Sequence, residues 1–336
     1  MSRLAGVEWH VRVPQAAGQA SPQTQSVCAW ILPGRRRGFP ACDVPCGGDL
    51  QVGEDGARCP ACGTSFPLRE GVLRCVGQEH YSASFGYQWT RFARTQLDSD
   101  RGETRSRETF VQKTGWSLDD LDGQVLLDAG CGMGRFAEVA IDAGARVCGL
   151  DLSAAVIAAA ANLGGREGIR FFQGDILDPP FADESFDRIY SIGVLHHTPD
   201  TRAAFLRLVR LLKPGGHIAI WVYSRRLRRL VGAEVLRVVT PRLPKELLLR
   251  LSRVAIPLYY VHRLPVIGRV TQIALPTSLE ADSEWRWLDT FDWYSPTYQW
   301  KHTPDEVAGW FAEAGLEQVR QLSFPVSFHG VRGHST

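Results

Sequence analysis

Between Val125 and Tyr223, short apolar runs alternate with stretches of helical period, and several of the runs close on glycine or aspartate. Val125–Leu127, Arg146–Leu150, Ile169–Gln173, Phe186–Ile192 and His217–Tyr223 read as strands. Phe136–Ala143, Ala154–Asn162 and Arg202–Leu212 read as helices, the last stopped by Lys213-Pro214-Gly215-Gly216. Strands that are apolar without alternation have both faces covered, and a helix between successive strands is the connection a parallel ladder needs. The pattern predicts an α/β chain with a mostly parallel sheet and helices on both faces. The rhythm breaks over 225–280, where Leu, Val and Arg recur at helical spacing between prolines. It resumes with a helix at Thr303–Ala314, opened by a capping box at Thr303 and Glu306, and two strands near Val319–Phe324 and Val326–Val331.

The 336 residues suffice for about two domains at ~150 residues each. We divide them into an irregular leader (1–40), a small cysteine-bearing module (41–78), a helical connector or lid (79–122), a core (123–224), a helical and aromatic cap insertion (225–300) and a closing segment (301–336). No apolar run approaches the ~18 residues of a spanning helix. The start lacks a secretory pattern, so a cytoplasmic, reducing setting is expected, which favours metal-bound or free thiols over disulfides. A net charge of +2 creates no general demand for nucleic acid. The charge is uneven: 224–279 hold eleven Lys and Arg against Glu234 and Glu246. That segment points to an anionic acceptor, to peripheral membrane contact through 225–253, or to a solvated helical face.

The candidate ligand site starts at Asp128-Ala-Gly130-Cys131-Gly132-Met-Gly134, between the first strand and its helix. Glycines in such a turn let a ligand approach the backbone. Arg135 stands where a dinucleotide fingerprint wants its third glycine, which counts against a hydride-transfer enzyme. Asp151 with Leu152 ends the second strand, where a carboxylate can take both ribose hydroxyls. Gly174-Asp175-Ile176 ends the third, offering an acceptor and an apolar flank to an adenine. Ser191-Ile192-Gly193 ends the fourth, followed by His196 and His197. All four stations lie at carboxyl ends of strands, where open α/β sheets bind ligands.

These motifs, with Leu211-Leu-Lys-Pro-Gly-Gly216, resemble class I S-adenosylmethionine-dependent methyltransferases, a Rossmann-like fold. The resemblance implies that Asp128 and the glycines meet the methionine portion of the cofactor, Asp151 the ribose, and Asp175 with Ile176 the adenine. It implies methyl transfer to a small or medium-sized acceptor, with specialised or glycan-related metabolism as the setting. His197, then His196, are the candidate general bases, and each has packing as its alternative. An RNA or protein methyltransferase, or a non-catalytic S-adenosylmethionine-binding partner protein, are the competing readings. No Asn-Pro-Pro-Tyr-type motif follows the fourth strand, which disfavours an exocyclic base nitrogen as acceptor.

Cys42-x3-Cys46-x12-Cys59-x2-Cys62 has the look of a zinc ribbon holding one structural ion, with x3 in place of the usual x2 in the first knuckle. It resembles modules that precede some bacterial methyltransferases. Acceptor choice is expected in the connector and the cap, with Tyr87, Trp89, Tyr294, Tyr298 and His302 as contacts or as cap packing.

Overall fold

The computed structural model describes residues 51–53, 55–58, 63, 65–76, 81–225 and 231–334. The leader, Cys42, Cys46, Cys59 and Cys62 lie outside the described residues, as does the basic run 226–230.

Among the described residues, eleven strands form one sheet: β1 (Gln51–Gly53), β2 (Gly56–Arg58), β3 (Ser65–Arg69), β4 (Val72–Arg74), β5 (Val125–Ala129), β6 (Arg146–Asp151), β7 (Ile169–Gln173), β8 (Phe186–Ile192), β9 (Leu212–Trp221), β10 (Leu316–Gln321) and β11 (Ser327–Arg332). The order is β1-β2-β3-β4-β7-β6-β5-β8-β9-β11-β10. The run from β4 to β9 is parallel, and β11 enters antiparallel between β9 and β10. Order therefore reverses between β5 and β8, which places the topological switch point there.

The two faces are filled separately, as strand alternation demands. Val125, Leu127 and Ala129 point into one cluster with Phe205, Leu208, Val307 and Phe311. Leu126 points into the other with Val139, Ala140, Val156 and Phe110. Helices α1 (Ala83–Arg91), α2 (Asp98–Arg101) and α3 (Arg105–Thr114) form the connector, and α4 (Arg135–Asp142), α5 (Ala155–Leu163) and α6 (Thr201–Arg210) serve the core. The cap consists of α7 (Val231–Leu236), α8 (Lys245–Ser252), α9 (Ala255–His262), α10 (Ile267–Ala274) and α11 (Ser283–Tyr294), and α12 (Pro304–Glu313) closes the fold. The expected capping box is present: Thr303 Oγ1 accepts from the Glu306 N–H, and Glu306 accepts from the Thr303 N–H.

Two boundaries shift. Lys213–Gly216 already belong to β9, whose pairing with β8 slips between Phe186 and Arg188. The closing hairpin starts at Leu316, because Gly315 (φ 66) turns the chain directly out of α12. The module's strands do not stand apart: β4 pairs in parallel with β7, so β1–β4 extend the edge of the core sheet.

Candidate active site

A cavity of about 420 Å³ opens over the carboxyl ends of β5 to β9, at the switch point. Its floor is the turn after β5, where Gly130 (φ 93) and Gly132 (φ 53) hold conformations that L-residues avoid. A Cβ on Gly130 would stand 2.3 Å from Val194, and one on Gly132 would stand 3.4 Å from the Trp89 indole. The turn is therefore bare backbone facing an aromatic wall, a cradle for a ligand that a side chain would fill.

Asp151 fixes this turn. Its Oδ2 accepts from the Gly132 N–H at 2.9 Å, and its Oδ1 accepts from the Ser153 N–H and Oγ at 2.8 and 2.7 Å. Leu152, Ile176, Ile192 and Gly193 line the same end of the cavity, with Cys131, whose thiol burial keeps protonated. Asp128 lies beneath the turn, 3% exposed, and its Oδ2 has no hydrogen-bond partner among the described residues. Burial pushes its carboxyl up to about 8, opposed by the nearby Tyr190 hydroxyl.

Other expected contacts are placed differently. Asp175 does not line the cavity: its Oδ1 accepts from the Tyr81 hydroxyl at 3.1 Å and the Leu177 N–H at 2.9 Å, and Tyr81 stands in the wall instead. The Ser191 hydroxyl, fully buried, donates to the Ala129 carbonyl at 2.7 Å and ties β8 to β5. Gly134 and Gly174 serve packing, since a Cβ on either would strike Leu163 or Leu150.

Of the two histidines, His197 reaches the cavity. Its Nδ1 is 2.8 Å from the Tyr298 carbonyl, so Nδ1 carries the proton and Nε2 keeps its lone pair. Burial lowers its pKa to about 4 against that hydrogen bond, and the ring is neutral near pH 7. His196 is fully buried, stacked on Tyr223 at 3.9 Å, and neither ring nitrogen finds a hydrogen-bond partner among the described residues. It packs.

The acceptor contacts expected from the cap need the same correction. Trp89 lines the cavity. Tyr87 packs on Phe291, and Tyr294 donates to the Pro276 carbonyl at 2.6 Å inside the cap. Tyr298 meets Tyr81 edge-on, and His302 bridges Glu306 and Thr201. These side chains are engaged within the cap, with the connector or beside the closing helix, because the insertion must bury its own aromatics before it can offer any to a ligand.

The half of the cavity over β8 and β9 is lined instead by Lys113, Arg135, Trp221, Tyr223, Asp289 and Asp292. Lys113 is 7% exposed, with Nζ 3.4 Å above the Trp221 ring. Burial, aided by Arg135, brings its pKa down to about 7. Burial raises Asp289 to about 7, and raises Asp292 to about 6 despite hydrogen bonds from Gln88 and Tyr223.

A buried acid with a raised pKa binds its proton more tightly folded than unfolded. Its contribution is full below the ordinary carboxyl value of ~4 and is lost as pH rises through the folded value. Asp128→Asn keeps the protonated shape. Its stability advantage over the unliganded wild type is expected to grow from near zero at about pH 4 to about 5 kcal/mol by about pH 8. Urea denaturation across that range checks this; parallel curves for the two proteins would refute it.

Residues 127–220 match the family described as a methyltransferase domain. Over those residues the chain is similar to a methyltransferase domain, and they lie on the Rossmann-like α/β sheet. A sterol 24-C-methyltransferase of Gibberella zeae is 32% identical over 146 residues, covering 42% of this chain and 37% of that protein. An O-methyltransferase of Aspergillus sclerotiorum is 36% identical over 118 residues (34% and 45%), and methyltransferase GfsG of Streptomyces halstedii 37% over 127 (36% and 44%). The chain spans under half the length of these curated relatives.

Proposed function

We propose that the chain transfers the methyl group of S-adenosylmethionine to a small acceptor that bears an anionic group. The observation that carries this is a single cavity with two unlike halves: a glycine cradle with Asp151 over β5–β7, and a chamber with Lys113 over β8 and β9. The residues present fit the cofactor. Asp151 ends β6 beside the glycine turn, where a carboxylate can meet ribose hydroxyls, and Leu152 and Ile176 supply apolar walls for a base. Asp128 lies buried beneath the turn and is not among the residues lining the cavity, so it supports the cradle from below.

Bound there, the cofactor supplies a methyl already activated on a sulfonium. What remains for the protein is positioning, which can contribute ~7–11 kcal/mol. Asp151 holds one reactant against the glycine turn. Trp89 and Trp221 exclude water, and Lys113 offers a cation to the acceptor. His197 Nε2 is the lone pair available to take a hydrogen bond or proton from an acceptor hydroxyl. On sequence spacing, the proposal includes one structural zinc on Cys42, Cys46, Cys59 and Cys62.

Calorimetry with S-adenosylmethionine and its demethylated product, then tritiated-methyl transfer to a panel of hydroxylated carboxylic acids and phosphate esters, tests the reading. Binding of both nucleosides and label on an anionic compound are expected, with one zinc per chain by elemental analysis. Failure to bind either nucleoside would sink the enzyme reading, and a zinc-free preparation with four titratable thiols would sink the ribbon.

A further inference from the structure

The cap presents apolar side chains to water in an ordered way. Among the described residues, sixteen large hydrophobic side chains are exposed, and twelve lie between Val235 and Ile273. They fall at helical spacing: Leu247, Leu251 and Val254 along α8 and just beyond it, and Ile267, Val270 and Ile273 along α10. Val235, Val238 and Val239 continue from α7, which packs against α10. A helix of a globular protein turns its apolar stripe inward. Leu248 and Leu249 do so, at 3% and 4% exposure, so the outward stripe on α8 is a second one. The sequence pattern places membrane contact within 225–253; there Leu248 and Leu249 face the cap core, and the exposed residues run on to Ile273. Val266, 74% exposed, is held at φ 62, a conformation costly for a β-branched residue.

The charge along this segment is predominantly positive. Arg242, Arg250, Arg253, Arg263 and Arg269 are exposed, and none forms an ion pair with a described residue. Of the two nearby acids, Glu234 is committed to Lys301, which leaves Glu246. Contiguous exposed apolar surface marks an interaction site, and arginines among it select an anionic apolar partner. A second copy of the chain would set the same arginines against each other, which is unfavourable. No helix among the described residues is long and apolar enough to cross a membrane.

We propose that the outer face of α7 and α10 docks on the surface of an anionic lipid bilayer, its apolar side chains entering the headgroup boundary and its arginines meeting lipid phosphates. The proposal stands apart from the methyl-transfer reading and survives its failure. The test is co-sedimentation of the full chain with vesicles of phosphatidylcholine, and with vesicles that also hold about 30% phosphatidylglycerol. The chain is expected to pellet with the anionic vesicles and to be released by salt. Each arginine contributes roughly 5-fold in partitioning. Arg263→Glu with Arg269→Glu should therefore lower binding by more than ~10-fold. Val270→Glu with Ile273→Glu should do likewise, with an unchanged melting temperature, because both side chains already face water. A chain that stays in the supernatant at low salt overturns the proposal. So does binding indifferent to both variants, or a dimer by light scattering that Val270→Glu dissolves.

Discussion

Asp151→Ala is expected to weaken S-adenosylmethionine binding by about 2–4 kcal/mol, ~30- to 1,000-fold in dissociation constant. Two losses combine. The first is the charge-assisted pairing of a carboxylate with ribose hydroxyls. The second is internal: Asp151 anchors the Gly132 N–H at 2.9 Å and the Ser153 N–H at 2.8 Å, so its removal loosens the cradle before any ligand arrives. Asp151→Asn separates the two, because an amide of the same size keeps one acceptor oxygen. It should lose about 1–2 kcal/mol. The unliganded alanine variant should also melt lower than the asparagine one. Calorimetry that finds the alanine variant within threefold of wild type would remove Asp151 from the site.

That residue was legible because its environment is local. A strand, a glycine turn and the acid ending the next strand are set by short-range geometry, so sequence spacing is enough to place them. Asp175 has a contact that the same argument does not supply. Its oxygen is taken by Tyr81, a residue 94 positions earlier, and nothing in the local pattern announces that partner. The parallel pairing of β4 with β7 was hidden for the same reason, since Val72 meets Phe171 across most of the core. The cap aromatics misled because an aromatic run fits a lid and a self-packed insertion equally well, and Tyr294 and His302 satisfy their polar atoms within the protein.

One missed residue did leave a trace. On α3 the buried positions are Ser106, Phe110, Lys113 and Thr114, one helical face. A lysine on a buried face is rare unless something holds or uses it. Arg135 was noticed only as an interruption of a glycine fingerprint. Its side chain instead donates to Ser106 at 2.9 Å from within the cavity wall, and burial lowers its pKa to about 10.

Lys113→Met is expected to lower kcat/KM for an anionic acceptor by ~100-fold or more while leaving S-adenosylmethionine affinity unchanged, with most of the loss in KM. The amine lies over Trp221 and Phe324, repelled by Arg135 and attracted by Asp289, with no ion pair to a described residue. An anion that reaches it replaces solvent the cavity has already excluded, which is where a charge-assisted contact is strongest. With a pKa near 7 in the free protein, Lys113 loses its charge as pH rises through neutrality. The kcat/KM of the wild type should therefore fall on the alkaline side, and the methionine variant should lack that limb. Lys113→Arg should restore part of the activity and keep its charge to higher pH. Stability separates this role from a structural one. A lysine whose folded pKa is depressed lowers stability most below about pH 7, where its charge is buried, and not at all above the unfolded value of ~10.4. The methionine variant should therefore be more stable than wild type at neutral pH, by about 4 kcal/mol, so an activity loss could not come from unfolding. An unchanged alkaline limb in the methionine variant, or a loss confined to cofactor binding, would show that the amine does not meet the acceptor.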